Sequence, residues 1–170
     1  IIAAPDRPCA GPPRLEEPPA AHRTLQGNRV MTAVATSDRD RIKDLQVLSA
    51  QLPQVELQTR HHFASGMYAR VLHQPEGILV VGKVHKAEHF LIVTKGRIAI
   101  NPGDGVMILQ AGDVVVSPHG TKRAIMALED SSYMNVHRTD MTDLSDIEAE
   151  LIEPDSSALF DSHNSLRRIK

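Results

Sequence analysis

Two histidines, His85 and His89, lie four positions apart in the stretch GILVVGKVHKAEHFLIVTKG, which otherwise has the composition of β-strands. The tripeptide Lys86-Ala87-Glu88 between them fits a corner between strands that would bring both rings to one interior face. Imidazole is a good ligand for Fe, Mn, Ni, Cu or Zn, whereas a pair without carboxylates suits Ca or Mg poorly. The spacing predicts a transition-metal site or, alternatively, two polar residues lining the interior.

The elements that must position these rings are short strands. After Pro53 the chain contains nine β-rich segments, separated by turn residues such as Ser65-Gly66, Lys95-Gly96 and Ala111-Gly112. These connections are too short for the helical crossovers that parallel strands require. We therefore predict an all-β fold of antiparallel strands, either a sandwich or a barrel.

Two amphipathic helices should flank the strands. Ser37 can cap the first, in which Ile42, Leu45, Leu48 and Leu52 recur at helical spacing. Thr142 can cap the second, TDLSDIEAELI, which we expect to pack outside the barrel. The predicted organisation is a disordered proline-rich arm or leader over residues 1–36, a β domain with both helices over 37–153, and a polar tail over 154–170.

Composition excludes several classes of partner. The formal net charge is −2 and the pI is about 6.5, without a basic face interleaved with aromatic residues, which argues against nucleic acid. No apolar run is long enough for a membrane helix. The single Cys9 cannot form an internal disulfide, which favours a reducing compartment. We expect a cytoplasmic protein with no membrane partner.

The stretch around the two histidines resembles the first motif of the cupin superfamily. That motif is a glycine, five residues, His-x-His, three or four residues, Glu, six residues and a glycine; the positions here in register are Gly77, His85, His89 and Gly96. The second motif is a glycine, five residues, Pro-x-Gly, two residues, His, three residues and Asn. Its turn skeleton is matched by Gly112 and by Pro118-His119-Gly120.

The resemblance covers residues 55–153 and implies a cupin-like antiparallel β-barrel, or jelly roll, with short flanking helices. The segments HHFASGMYAR, GKVHKAEH, SPHGTKRAIMALED and TDLSDIEAELI are further similar to small single-domain cupin-like proteins of phages and prophages. A phage-like protein would have the phage particle as its alternative location.

The four ligand positions of metal-binding cupins are occupied here by Lys83, His85, His89 and Arg123. Two of these are cationic and the usual Glu is replaced by a histidine, so the usual four-ligand site does not transfer. His137 can compensate. If Glu129 to Ser131 form a three-residue turn, His137 lies opposite Arg123 on the neighbouring strand. A two-residue turn would direct it away.

These residues predict a metal-binding histidine cluster of His85, His89 and His137, with Fe, Mn, Ni or Zn as the divalent transition metal. Lys83 and Arg123 are candidates for an anion clamp, since a guanidinium fork fits a carboxylate or phosphate. Glu88 is a candidate general base or a partner that orients an imidazole. The alternative for these three charged residues is a solvated position at the barrel mouth.

The sequence is compatible with two functions, which belong to different classes of protein. The first is a small barrel that binds a divalent transition metal and a small anionic ligand, with the reaction unknown. The second is a non-catalytic barrel that serves as a structural or assembly protein of the phage type, or as a metal-free ligand binder. Whether the protein is an enzyme stays open. Because small barrels leave edge strands to cover, we expect a homo-oligomer, by default a dimer.

Overall fold

A computed structural model describes residues 36–101 and 105–167. The predicted arm therefore lies outside the described residues, apart from Thr36. The elements within these ranges are α1 (Thr36–Ser49), β1 (Thr59–Ala64), β2 (Met67–Gln74), β3 (Leu79–Val81), β4 (His89–Lys95), β5 (Arg97–Ile100), β6 (Met107–Gln110), β7 (Val114–Ser117), β8 (Ala124–Ala127), β9 (Ser131–Arg138) and α2 (Leu144–Leu151). Neither described helix has the length and apolar character needed to cross a membrane.

The strands form two antiparallel sheets. The larger has the order β1-β2-β9-β4-β7 and the smaller the order β3-β8-β5-β6. The predicted all-β class, antiparallel pairing and two flanking helices are confirmed. The closed barrel is not observed, because no ladder joins the two sheets within the described ranges.

The core lies between the two sheets. Strand alternation turns every second residue of each strand inward, and the inward residues of both sheets form one buried apolar cluster. Its buried members are Leu72, Leu91, Val93, Ile98, Ile100, Leu109, Ile125 and Tyr133. This cluster fixes the register of β2, β4 and β9, because a slip of one residue would turn the apolar side chains outward.

The predicted hairpin between Leu128 and Ser132 is wrong. β8 pairs with β3 and β5 in the smaller sheet, whereas β9 pairs with β2 and β4 in the larger one. The chain crosses between the sheets at Glu129–Ser131, and Arg123 is therefore not the cross-strand partner of His137. The partner of His137 is Tyr68 on β2.

The helices differ from their predicted packing and capping. The N-cap of α2 is Asp143, whose carboxylate accepts the backbone N–H groups of Ser145 and Asp146, rather than the predicted Thr142. Ile147 and Leu151 of α2 pack against Tyr68 at an open end of the sheets. In the predicted stripe of α1 only Ile42 is buried. The helix ends at Ser49, before Leu52.

Residues 154–167, which the sequence assigned to a polar tail, lie against the sheets. Ala158 is buried. The side chain of Asn164 accepts a hydrogen bond from Arg70 at 3.2 Å and donates one to the carbonyl of Leu57 at 3.0 Å. Arg167 contacts Glu148 of α2 at 3.6 Å. These contacts place the segment over the same end of the sheets as α2.

Gly96, in the turn between β4 and β5, should be the glycine least tolerant of a side chain. Its φ is +72°, and a Cβ would lie 2.5 Å from Ser131 Oγ and 2.6 Å from the Asp130 carbonyl. Gly96→Ala should lower the free energy of unfolding by about 2 to 4 kcal/mol, since it adds steric overlap to left-handed backbone strain. Urea unfolding measures this change.

Gly77→Ala is the matched control, because Gly77 has a similar φ of +75° but open space around its Cβ position. It should cost only the backbone strain, about 1 kcal/mol. Equal losses in the two variants would contradict the steric argument.

Candidate metal centre

The three predicted histidines meet at one end of the inter-sheet space. His89 opens β4 and His137 lies near the end of β9, and these strands are neighbours in the larger sheet. His85 is not in a strand: β3 ends at Val81, and His85 forms an isolated bridge with Ile152, after α2. The carbonyl of His85 accepts the N–H of Gly120 at 2.7 Å, which anchors the loop to the β7–β8 turn.

The rings form a compact group. Ring centroids are 4.0 Å apart for His85 and His89, 4.5 Å for His89 and His137, and 5.0 Å for His85 and His137. One nitrogen from each ring lies within 4.8 Å of the others. An ion bound at about 2.0–2.1 Å needs nitrogens roughly 3.3 Å apart. The rings can therefore share an ion after a small inward rotation.

The hydrogen bonds of the three histidines leave ring nitrogens free to bind an ion. Nδ1 of His89 donates to the carbonyl of Ala87 at 3.2 Å, which leaves Nε2 unprotonated in the neutral ring. This is the backbone contact that orients many metal-bound histidines. Nδ1 of His85 and Nδ1 of His137 are buried without a hydrogen-bond partner among the described residues. Unpartnered buried nitrogens of this kind fit a site completed by a bound ion.

Burial holds all three rings in the neutral form that metal binding requires. Desolvation lowers the pKa of His89 to about 4 and that of His137 to about 3. The pKa of His85 falls well below its ordinary value, first through desolvation and then through the neighbouring histidines, Arg70 and Arg123. A neutral imidazole has a lone pair to offer at physiological pH, so protons compete weakly with a metal here.

A cavity of about 540 Å³ opens in front of the histidines. It lies between the sheets, and α2 and the segment 159–164 cover its end. Its apolar wall includes Leu72, Val80, Ile125, Ile147 and Leu151. A cavity of this size, with an apolar wall and polar groups gathered around the histidines, is typical of small-molecule pockets.

The three predicted ligand-binding residues have different positions. Arg123 is buried, with 6% of its surface exposed, and lines the cavity. Lys83 lines it too, but its amine is paired with Glu148 of α2 at 2.7 Å. Glu88 is exposed and is not part of the cavity lining, because it precedes inward-facing His89 and therefore points outward. The structure thus gives no support to Glu88 as a base.

Arg70 and Tyr68 also line the cavity, and neither was predicted as a site residue. Arg70 lies on the inner face of β2 between Tyr68 and Leu72, opposite Asn135 of β9. Tyr68 hydrogen-bonds His61 at 2.7 Å, and its ring lies 6.3 Å from that of His137. The sequence signal that could have identified both residues is strand alternation, because it places residues 68 and 70 on the same face as the apolar Leu72.

Comparisons with known proteins support the fold alone. No protein-family model matches the chain, and no curated protein matches it. Similar solved structures include KdgF from Halomonas sp., at 20% identity, TM-score 0.44, over 49% of this chain and 80% of that one. Another is a cupin-2 domain containing protein from Shewanella frigidimarina, at 20% identity, TM-score 0.43, over 56% and 98%.

A third similar structure is a double-stranded β-helix domain protein from Klebsiella pneumoniae. It is 20% identical, with a TM-score of 0.45, over 52% of this chain and 81% of that one. Similarity at this level carries no argument about the activity, metal or ligand of this chain.

The metal-free protein should lose stability as the pH falls below 6.5. The buried histidines stay neutral while those of the unfolded chain gain protons, so the unfolded state binds more protons between pH 6.5 and the folded pKa values near 4 and 3. From pH 7 to pH 5, each such histidine should remove about 1 to 2 kcal/mol. Urea unfolding in chelator measures the loss.

His137→Gln should lose less stability between these pH values, because it lacks the contribution of one buried histidine. His119→Gln, which changes an exposed turn residue, should match the unsubstituted protein. An identical pH dependence in all three proteins would contradict the burial argument.

Proposed function

We propose that this protein binds one divalent transition metal through His85, His89 and His137, with open coordination positions facing the cavity. The observation that carries the proposal is the convergence of three imidazoles, two of which have buried nitrogens without partners among the described residues. His85 and His89, two of the three proposed ligands, fall at ligand positions of the first cupin motif that the sequence resembles. Imidazole ligands favour Fe, Mn, Ni or Zn.

The cavity next to the histidines is suited to an anionic small molecule. Ser117 is the cross-strand partner of His89, and its hydroxyl accepts a hydrogen bond from Nη1 of Arg123. The guanidinium therefore lies close to the histidine cluster. A bound metal would supply Lewis acidity to a ligand oxygen. Arg123 would hold the negative charge, and the apolar wall would exclude water.

An anion binder that works without a metal is the second candidate. Nε and Nη2 of Arg123 are buried without partners among the described residues, which favours an anion whether or not the histidines are metallated. The structural or phage-type role suggested by the sequence resemblance stays a prediction, and so do the cytoplasmic location and its phage-particle alternative.

Substitution of the cluster should remove the metal. Protein dialysed against Zn²⁺ or Mn²⁺ and then freed of unbound ion should retain about one ion per chain. His85→Ala, His89→Ala and His137→Ala should each lose at least tenfold in metal affinity, since two imidazoles make a weak site. Inductively coupled plasma mass spectrometry and competition with a chelator measure these quantities.

His119→Ala is the matched control, because it changes an exposed histidine outside the cluster and should leave the metal content unchanged. Metal that persists in all three cluster variants, or its absence from the unsubstituted protein after reconstitution, would contradict the proposal.

A further inference from the structure

Two arginines in the cavity carry positive charges that no described carboxylate neutralises. Among the described residues, Arg123 forms one side-chain hydrogen bond, to the Ser117 hydroxyl, and its Nε and Nη2 have no partner there. Arg70 donates from Nη2 to Asn164, and its buried Nε has no partner within the part of the chain that the structure describes. Within residues 36–101 and 105–167, neither arginine forms an ion pair with a carboxylate. Buried cations are ordinarily paired, which favours an anion at buried Arg123; Arg70 is half-buried, and its buried Nε remains available to the same ligand.

The acidic residues that line the cavity are already committed elsewhere. Glu148 pairs with Lys83 at 2.7 Å and with Arg167 at 3.6 Å. Asp155 pairs with Lys122 at 3.3 Å. The carboxylate of Asp161 accepts the backbone N–H groups of residues 163 and 165, both at 2.9 Å. The described carboxylates of the cavity lining therefore leave both arginines available to a ligand anion.

The two arginines reach the cavity from different walls. Arg70 projects from β2 in the larger sheet, and Arg123 precedes β8 of the smaller sheet. Apolar side chains, among them Leu72 and Ile125, line the space around them. This arrangement fits a short hydrocarbon chain with one anionic group at each end, because each guanidinium can bind a planar carboxylate in a fork geometry.

We infer that the cavity binds a short-chain dicarboxylate, with one carboxylate held by Arg123 and the other by Arg70. The inference names the ligand class for the proposed function and rests on the same cavity, although the grip itself needs no metal. Arg70 replaces Lys83 as the second cation of the predicted clamp, because the amine of Lys83 is paired with Glu148.

Binding of defined probes to the full chain tests the inference. Succinate, glutarate, butyrate and inorganic phosphate would be titrated calorimetrically at constant ionic strength, into chelator-treated and metal-loaded protein. Succinate or glutarate should bind at least tenfold more tightly than butyrate. Equal binding of the dicarboxylates and butyrate, no binding, or tighter binding of phosphate would overturn the two-point grip.

Substitutions of the two arginines test whether each of them binds one carboxylate of the ligand. Arg123→Gln and Arg70→Gln should each reduce dicarboxylate affinity at least tenfold, to the level of butyrate. Arg97→Gln is the matched control, because Arg97 is an exposed strand arginine paired with Glu129 outside the cavity. Loss of binding in the control as well, or full binding in both cavity variants, would overturn the inference.

Folding and metal binding are separated by two further measurements. Circular dichroism melting reports folding, and the lysine variants Arg123→Lys and Arg70→Lys keep the charge if a glutamine variant unfolds. They should bind dicarboxylate more weakly than arginine, since Lys lacks the fork. Protein that retains metal but binds no dicarboxylate would overturn this inference alone, whereas protein that binds dicarboxylate but retains no metal after reconstitution would overturn the metal centre alone.

The outer face of the larger sheet carries apolar residues. Alternation places eight apolar residues side by side on this face in two rows: Ala69, Val136, Phe90 and Val116, then Val71, Met134, Ile92 and Val114. Phe90 is 47% exposed and Val114 is 57% exposed. Antiparallel sheets with one free face normally carry polar residues there. The other six residues are half-buried.

The dimensions of the face fit a second copy of this chain. Five strands at about 4.8 Å spacing, each six to eight residues long in β1, β2, β4 and β9, give a surface of roughly 24 by 24 Å. Its area, about 580 Å², is close to the roughly 600 Å² per partner at the low end of specific interfaces. We propose that two copies pack through this face about a two-fold axis, which deepens the expected homodimer into a named surface.

Mass measurement of the full chain in solution tests the surface. Light scattering after size exclusion at micromolar concentration should give a dimer, and Phe90→Lys with Val136→Lys should give a folded monomer. Ile108→Lys is the matched control, since Ile108 is a 60% exposed strand residue of the other sheet. A monomeric unsubstituted chain, or a dimer that the paired variant leaves intact, would overturn the surface.

Discussion

The proposed site depends on the burial of polar side chains at one end of the core, where they lose contact with water. The two sheets enclose apolar residues, yet His89, His137 and Arg123 are as buried as the aliphatic side chains around them. A buried imidazole remains neutral and keeps a free lone pair, whereas a buried guanidinium cannot lose its charge. The same low-dielectric setting therefore prepares the histidines for a cation and Arg123 for an anion.

These two requirements support each other. A divalent ion beside Arg70 and Arg123 would be electrostatically unfavourable alone, since like charges in a desolvated cavity repel strongly. An anionic ligand lowers that cost for both, which couples metal and anion binding in the proposed function. α2 and the segment 154–167 make the coupling possible, because they cover the cavity and hold its rim carboxylates in ion pairs with Lys83 and Lys122.

Local patterning predicted much of the fold and only part of the site. The nine β-rich segments match nine strands because apolar alternation and turn glycines are local signals. Sheet pairing is not local: His137 joins His85 and His89 through β2 and β4, although it was predicted from a hairpin that does not form. Arg70 was missed because an arginine in a strand looks like a surface residue until both sheets are placed around it.

The central claim is that three imidazoles from separate parts of the chain share one ion. A crystal structure of cobalt-loaded protein, with an anomalous map at the cobalt edge, tests this most directly. The account predicts one peak at about 2.0–2.2 Å from a nitrogen of each of His85, His89 and His137. A peak bound by other residues, or no peak at the cluster in protein that has the rings in place, would contradict it.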